Sequence, residues 1–81
     1  MVFKTFGTCS REINFDVVEG KLTNVSFLGG CNGNLQGIGK LVEGMDIDEV
    51  IARVEGIKCG ARQTSCPDQL AKALKQYKAE N

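Results

Sequence analysis

Four cysteines and the absence of histidine constrain this chain more than any other feature of its sequence. Cys9, Cys31, Cys59 and Cys66 stand beside Gly, Ser, Thr or Asn, where the pattern indicates loops or the ends of elements. Buried structural cysteines usually lie within apolar runs, so this placement favours thiols that meet where loops converge. Converging thiols would make a zinc site, two disulfides or a redox centre. The alternative is four small apolar residues packed in the core.

Chain length and compartment bear on these alternatives. An 81-residue chain has the size of one domain, so we expect residues 1–81 to fold as a single unit. Below roughly 70–80 residues a metal or a disulfide commonly supplements a small core. No apolar run is long enough for a membrane span, and no apolar signal segment follows Met1. We therefore expect a cytoplasmic protein with reduced thiols, which favours metal or thiol chemistry over disulfides.

Charge argues against two classes of partner. Ten basic and ten acidic residues balance, so no charge field attracts nucleic acid or an anionic membrane. The aromatic residues are not interleaved with basic ones, so we do not expect a platform for single-stranded nucleic acid. The composition thus predicts neither nucleic acid nor a membrane as the partner, and it does not indicate an oligomeric state.

The N-terminal third of the sequence has the alternation of β-strands. Residues 2–6, 11–18 and 22–28 are the predicted strands, and Glu19-Gly20 joins the last two as a hairpin. One face carries apolar side chains and the other polar ones, which is typical of an antiparallel sheet with one solvated face. The predicted apolar face comprises Ile13, Phe15, Val17, Val25 and Phe27.

The remainder has helical spacing, in three segments. The first carries Leu35, Ile38, Leu41 and Val42, ends at Gly44, and contains Gly37 and Gly39, which suggest close packing. The second has a capping box of Asp46 and Glu49, a buried stripe of Ile47, Val50, Ile51 and Val54, and Gly56 at its end. The third starts at Pro67, buries Leu70, Ala71, Leu74 and Tyr77, and places Lys72, Lys75 and Lys78 toward its C-terminus. The predicted fold is α+β, with a three-stranded antiparallel sheet followed by three helices packed on one face.

Helix starts lie next to two of the cysteines. Cys66 is predicted at the N-cap of the last helix, and Cys31 just before the first; the positive end of a helix stabilises a thiolate there. Cys59 precedes Gly60 and Ala61, which allow close approach of the backbone. Zinc ribbons supply C-x-x-C pairs, whereas Cys59 and Cys66 have six residues between them. A shared site therefore depends on the whole fold, and the missing C-x-x-C also counts against a redox pair.

Residues 29–34, a glycine-rich stretch before the first helix, raise the possibility of a phosphate site. Amides at a helix start bind phosphate, yet the stretch matches neither common nucleotide-binding pattern. A capping loop that needs glycine for its dihedral angles explains it equally well. The carboxylates of the second helix are interpreted as caps and a solvated face, so no catalytic residue is predicted.

Five short blocks of sequence resemble the TSCPD domain family. The most specific is Thr64-Ser65-Cys66-Pro67-Asp68, which spells the family's name in one-letter code. The others, in order along nearly the whole chain, are Cys9-Ser10-Arg11, Gly29-Gly30-Cys31-x-Gly33-Asn34-Leu35, Leu41-Val42-Glu43-Gly44-Met45 and Gly56-Ile57-Lys58-Cys59-Gly60.

The resemblance carries functional expectations. The family occurs as small stand-alone proteins and as a C-terminal module of adenosylcobalamin-dependent ribonucleotide reductases, which links it to nucleotides and DNA synthesis. It implies that Cys9, Cys31, Cys59 and Cys66 bind a metal, with zinc expected, and that a larger ribonucleotide reductase or another protein is the partner. The chain is too short to be a reductase alone, because the catalytic barrel needs several hundred residues.

Two other functions stay open. One is a thiol redox module that serves a ribonucleoside-diphosphate reductase, with Cys66 attacking and Cys59 or Cys31 resolving. The other is a purely protein-interaction domain that docks through the polar sheet face or the basic last helix.

Overall fold

The computed structural model describes residues 1–8, 10–30 and 32–80. Across them the chain forms β1 (Val2–Lys4), β2 (Ser10–Val18), β3 (Lys21–Gly29), α1 (Asn32–Val42), α2 (Ile47–Val54) and α3 (Cys66–Glu80). The strands form one antiparallel sheet in the order β1-β2-β3. The predicted α+β fold, three strands followed by three helices, is therefore confirmed.

The sheet has one buried and one solvated face, as the alternation predicts. Ile13 and Phe15 of β2 are fully buried, and Val17 packs against them, while Asn14 and Asp16 are exposed. Helices cover the buried face, so strands and helices share one core. This core comprises Ile13, Phe15, Leu22, Val42, Ile47, Val50, Leu70, Ala73 and Leu74.

The β2–β3 hairpin closes at the predicted Glu19-Gly20 turn. Both residues have positive φ, 52° and 78°, as a type I′ turn requires. Asn14 pairs with Ser26 and Asp16 with Thr23, so two residues of β3 lie opposite one residue of β2. One of the two, Asn24, has a φ of 55°. This β-bulge puts Leu22 on the same face as Val25, which strict alternation would not allow.

Helix α1 lies against β3 through one of its two internal glycines. A β-carbon on Gly39 would lie 3.1 Å from the carbonyl oxygen of Val25, whereas one on Gly37 would meet nothing within 4 Å. The predicted close packing is therefore confirmed at Gly39 and is wrong for Gly37. The absence of a side chain at residue 39 therefore lets α1 approach β3 this closely without a tight contact.

The predicted apolar stripe of α1 is wrong at one position. Leu35 and Val42 are buried, but Leu41 is 79% exposed. The cause is the arrangement of the helices, because α1 packs on β3 while α2 packs on α3. Leu41 consequently borders an open groove between α1 and α2.

The start of α2 differs from the predicted capping box. The side chain of Asp46 makes no capping hydrogen bond, and its carboxylate lies 2.7 Å from the ammonium of Lys21. Glu49 instead pairs with Arg53 at 2.7 Å, one turn along the helix. The backbone N–H of Ile47 donates to the carbonyl of the β2–β3 turn at 3.0 Å. The hairpin thus satisfies one of the amides that have no partner within the helix at its start.

Helix α3 buries the predicted face of Leu70, Ala71 and Leu74. The half-buried ring of Tyr77 stands edge-on to Phe15, with 6.4 Å between ring centroids. The lysines of α3 form ion pairs with acidic side chains: Lys72 with Asp68, Lys75 with Glu55 and Lys78 with Asp48. Part of the basic face is thereby neutralised by α2 and its C-terminal end. Within the described residues no helix, α3 included, is long and apolar enough to cross a membrane.

Candidate functional site

The start of α3 is built by a serine cap within residues 64–68, called here the 64–68 motif. The hydroxyl of Ser65 accepts the backbone N–H of Asp68 at 3.2 Å, and the Ser65 carbonyl accepts that of Gln69 at 2.8 Å. Ser65 is therefore the N-cap, and α3 begins at Cys66. The prediction placed the cap at Cys66 and the helix start at Pro67, one residue too late. Pro67 still lies in the first turn, where a missing N–H costs little.

Asp68 of the motif joins α3 to the end of α2. It is only 4% exposed, and its carboxylate accepts the Thr64 hydroxyl and, at 2.7 Å, the backbone N–H of Gly56. Burial alone would raise the pKa of Asp68, but these two hydrogen bonds and the charge of Lys72 together hold that pKa below its ordinary value. The carboxylate is thus an ionised structural anchor.

A second buried side chain ties the motif to the loop after β1. The amide of Gln69 accepts the backbone N–H of Phe6 at 3.2 Å and donates to the Thr64 hydroxyl oxygen at 2.9 Å. Gly7 follows in that loop with a φ of 74°, and a β-carbon there would lie 3.0 Å from the Thr64 methyl carbon. The N-terminal loop and the motif are therefore in direct contact.

Cys66 has a polar neighbour from the sheet. The hydroxyl oxygen of Ser10, at the start of β2, lies 3.1 Å from the Cys66 sulfur. Both residues are buried, 3% and 8% exposed respectively. The thiol therefore lies where the first turn of α3 meets the sheet. Sequence reasoning singled out Ser10 only as part of a family block, because a lone serine beside a cysteine carries no pattern of its own.

Cys59 is exposed and is fixed relative to the motif by its backbone. Its N–H donates to the carbonyl of Thr64 at 3.1 Å, and its carbonyl accepts the N–H of Arg62 at 3.0 Å. Cys59 and Cys66 line the same groove, of about 530 Å³, whose opposite wall includes Gly33 in the first turn of α1. Two of the four predicted ligands therefore border one cavity.

The other two predicted ligands, Cys9 and Cys31, lie outside the described residues. Their sequence surroundings do border the site: Ser10 contacts Cys66, and Gly33 lines the groove. Within residues 1–8, 10–30 and 32–80, no three or more His, Cys, Asp or Glu form a group that could hold a metal ion. The four-cysteine site accordingly stays a prediction.

The glycine-rich stretch before α1 has a conformational explanation. Gly29 and Gly30 have φ values of 82° and 84°, in the region that favours glycine. These dihedral angles account for glycine at both positions at the end of β3, without a bound phosphate.

An apolar groove of about 550 Å³ continues from the cysteine-bearing groove. It lies between α1 and α2, and the two grooves share Ile38, Leu41 and Pro67. The half-exposed Ile57 lines its far side. The candidate thiols thus stand at one end of a longer apolar surface.

The fold and the site define a small α+β domain in which the N-terminal loop, the α2–α3 connection and α3 are hydrogen-bonded around a buried cysteine. The chain belongs to the TSCPD domain family, whose model matches residues 1–78. The family's pentapeptide is the capped, hydrogen-bonded start of α3. Comparison with curated proteins and with solved structures gave no match.

Proposed function

We propose that this chain is a metal-binding module of the TSCPD type, in which Cys9, Cys31, Cys59 and Cys66 hold zinc. The observation that carries the proposal is that Cys59 and Cys66 line one groove. Support for the other two comes from their surroundings, since Ser10 contacts Cys66 and Gly33 lines the groove. Four thiolates are a common donor set of structural zinc sites.

The described donors suit a metal that prefers thiolate. Cys66 lies in the first turn of α3, where the positive end of the helix favours a thiolate over a thiol. Cys59 is exposed, which gives an ion access to the groove from solvent. Zinc, when bound, supplies a cross-link between the sheet, the start of α1 and the α2–α3 connection. Because such a site is absent from the unfolded chain, its binding free energy adds to folding stability.

For the partner we propose a larger ribonucleotide reductase in the cytoplasm. Family membership supports this, through the resemblance to the C-terminal module of such enzymes. The roles in nucleotide binding and DNA synthesis rest on the same resemblance. Titration of the zinc-loaded protein with a purified adenosylcobalamin-dependent reductase, followed by size-exclusion chromatography, tests the partner. Separate elution at every ratio contradicts it.

The metal proposal is tested by elemental analysis and denaturation. Protein purified without chelator should contain about one zinc per chain, and chelator should lower its denaturation midpoint. Cys66→Ser should remove that chelator sensitivity and match metal-free wild type, because Ser65 still caps α3. Ser26→Ala, at an exposed β3 position, is the control and should behave as wild type. A zinc-poor wild type whose midpoint ignores chelator contradicts the proposal.

The shared groove of Cys59 and Cys66 also favours a second candidate, the thiol redox module. Oxidation by glutathione disulfide would join the two sulfurs, with two electrons and two protons passing to two glutathione thiols. Mass spectrometry after incubation in glutathione buffers of graded potential measures this disulfide. Its absence under the most oxidising buffer rules out the redox function for this pair, whatever the zinc content.

A further inference from the structure

The contact between Ser10 and Cys66 joins two residues that are 56 positions apart in the sequence. Both side chains are buried, so bulk water is not at hand to replace a lost partner. The oxygen–sulfur distance of 3.1 Å is within hydrogen-bonding range, with either atom able to donate if the sulfur carries a proton. The role of the contact therefore depends on which of the two atoms donates the hydrogen.

A metal-bound thiolate fixes that direction. A thiolate sulfur carries no proton and can only accept, so Ser10 must donate its hydroxyl proton to it. The Thr8 hydroxyl oxygen lies 3.1 Å from both the hydroxyl oxygen and the carbonyl oxygen of Ser10, so Thr8 can donate its proton to either of them. The Ser10 carbonyl is already served by the hydroxyl of Thr5 at 2.5 Å. With that carbonyl served by Thr5, Thr8 can donate to the Ser10 hydroxyl, and Ser10 can donate to the Cys66 sulfur.

We propose that Ser10 is a positioning residue for the metal site, and that its hydroxyl donates a hydrogen bond to the Cys66 thiolate. This inference rests on the proposed function. The bond holds the sulfur in one orientation and withdraws part of its negative charge. Hydrogen bonds of this kind around ligands typically change metal affinity by about 10–100-fold when removed.

The test uses cobalt(II) in place of zinc on the full chain. Ser10→Ala should weaken cobalt binding by about 10–100-fold in a chelator competition. Its sulfur-to-cobalt absorption band should move to longer wavelength, because the sulfur becomes a stronger electron donor. Ser10→Thr, which keeps the hydroxyl, should restore most of both properties, and the exposed Ser26→Ala should leave both unchanged.

The band position separates a positioning role from a merely structural one, since loosened packing alone does not change the electron density on the sulfur. Equal affinity and an unshifted band in Ser10→Ala overturn the inference and leave the proposed function standing. A wild type that binds no cobalt overturns both. If Ser10→Ala fails to fold, Thr8→Val removes the orienting hydroxyl and should produce a smaller shift in the same direction. An unshifted band in Thr8→Val then overturns the inference.

Discussion

The carboxylate of Asp68 accepts the backbone N–H of Gly56 at 2.7 Å, which ties the first turn of α3 to the residues that follow α2. Gly56 has a φ of 86°, so the same residue ends α2 and presents its amide to α3. Thr64, at the other end of the 64–68 motif, donates its hydroxyl to the second carboxylate oxygen. The acidic residue of the motif therefore holds the connection between two helices.

Replacement of this carboxylate should destabilise the fold. Asp68→Asn keeps the size but puts two donors where one oxygen accepted the Thr64 hydroxyl, so we expect a loss of about 1–3 kcal/mol at pH 7. Urea denaturation measures it. The control is Asp48→Asn, an exposed α2 carboxylate in an ion pair, which should cost less than about 1 kcal/mol. Equal losses at the two positions would contradict the anchoring role.

The ionised carboxylate of Asp68 predicts that the stability of the fold depends on pH. The pKa of Asp68 is held below its ordinary value in the folded state, so its stabilising contribution is complete above the unfolded pKa of about 3.9. It is lost as the pH falls through the lower folded pKa. The stability difference between wild type and Asp68→Asn should therefore shrink below about pH 4. Denaturation of both proteins from pH 7 down to pH 3 checks this, and a constant difference would show that folding does not lower the pKa of Asp68.

Two glycines of α1 provide a matched pair. Gly37→Ala should stabilise the protein by about 1 kcal/mol through helix propensity, because the new methyl group meets nothing. Gly39→Ala should forfeit that gain or destabilise, since its methyl would press on the Val25 carbonyl. Thermal and urea denaturation of both variants give the comparison. An equal gain at both positions would mean that α1 does not approach β3 as closely as the structure shows.

The contact between the N-terminal loop and the motif is tested at Gly7. Gly7→Ala and Gly44→Ala share the strain of positive φ, about 1–2 kcal/mol each, but only Gly7→Ala adds a clash with the Thr64 methyl group. Gly7→Ala should therefore cost more. Thr64→Ser removes that methyl group and keeps the hydroxyl, so it should relieve part of the cost in the double variant. Strictly additive free energies of unfolding would contradict the contact.

Local patterning was enough to predict most elements of the fold. Ile13 and Phe15 alternate with polar residues, and Glu19-Gly20 has the composition of a type I′ turn, so the hairpin follows from neighbouring residues alone. Leu41 could not be placed in this way. Its burial depends on whether α2 covers α1, which is a property of helix packing rather than of helical period.

At the helix starts, too, local sequence does not decide which groups form the cap. Asp46 has the right type and position for a cap, yet Lys21 takes its carboxylate and the hairpin supplies the partner for the helix amide. Ser65 caps α3, whereas the adjacent cysteine and proline place the predicted boundary one residue later. The shared groove of Cys59 and Cys66 was anticipated only as convergence of loops, since it arises from hydrogen bonds of the backbone around residues 59–64.

The hydrogen bond between Phe6 and Gln69 also bears on the order of folding. It spans 63 residues, whereas the β2–β3 hairpin closes through a two-residue turn. The entropy lost in closing a loop rises with its length, so the hairpin can form early and the ties around the motif form after most of the chain is in place. Interactions absent from the transition state act on the unfolding rate. Substitutions at Gln69 or Thr64 should therefore shorten the lifetime of the folded molecule in stopped-flow unfolding while its refolding rate hardly changes.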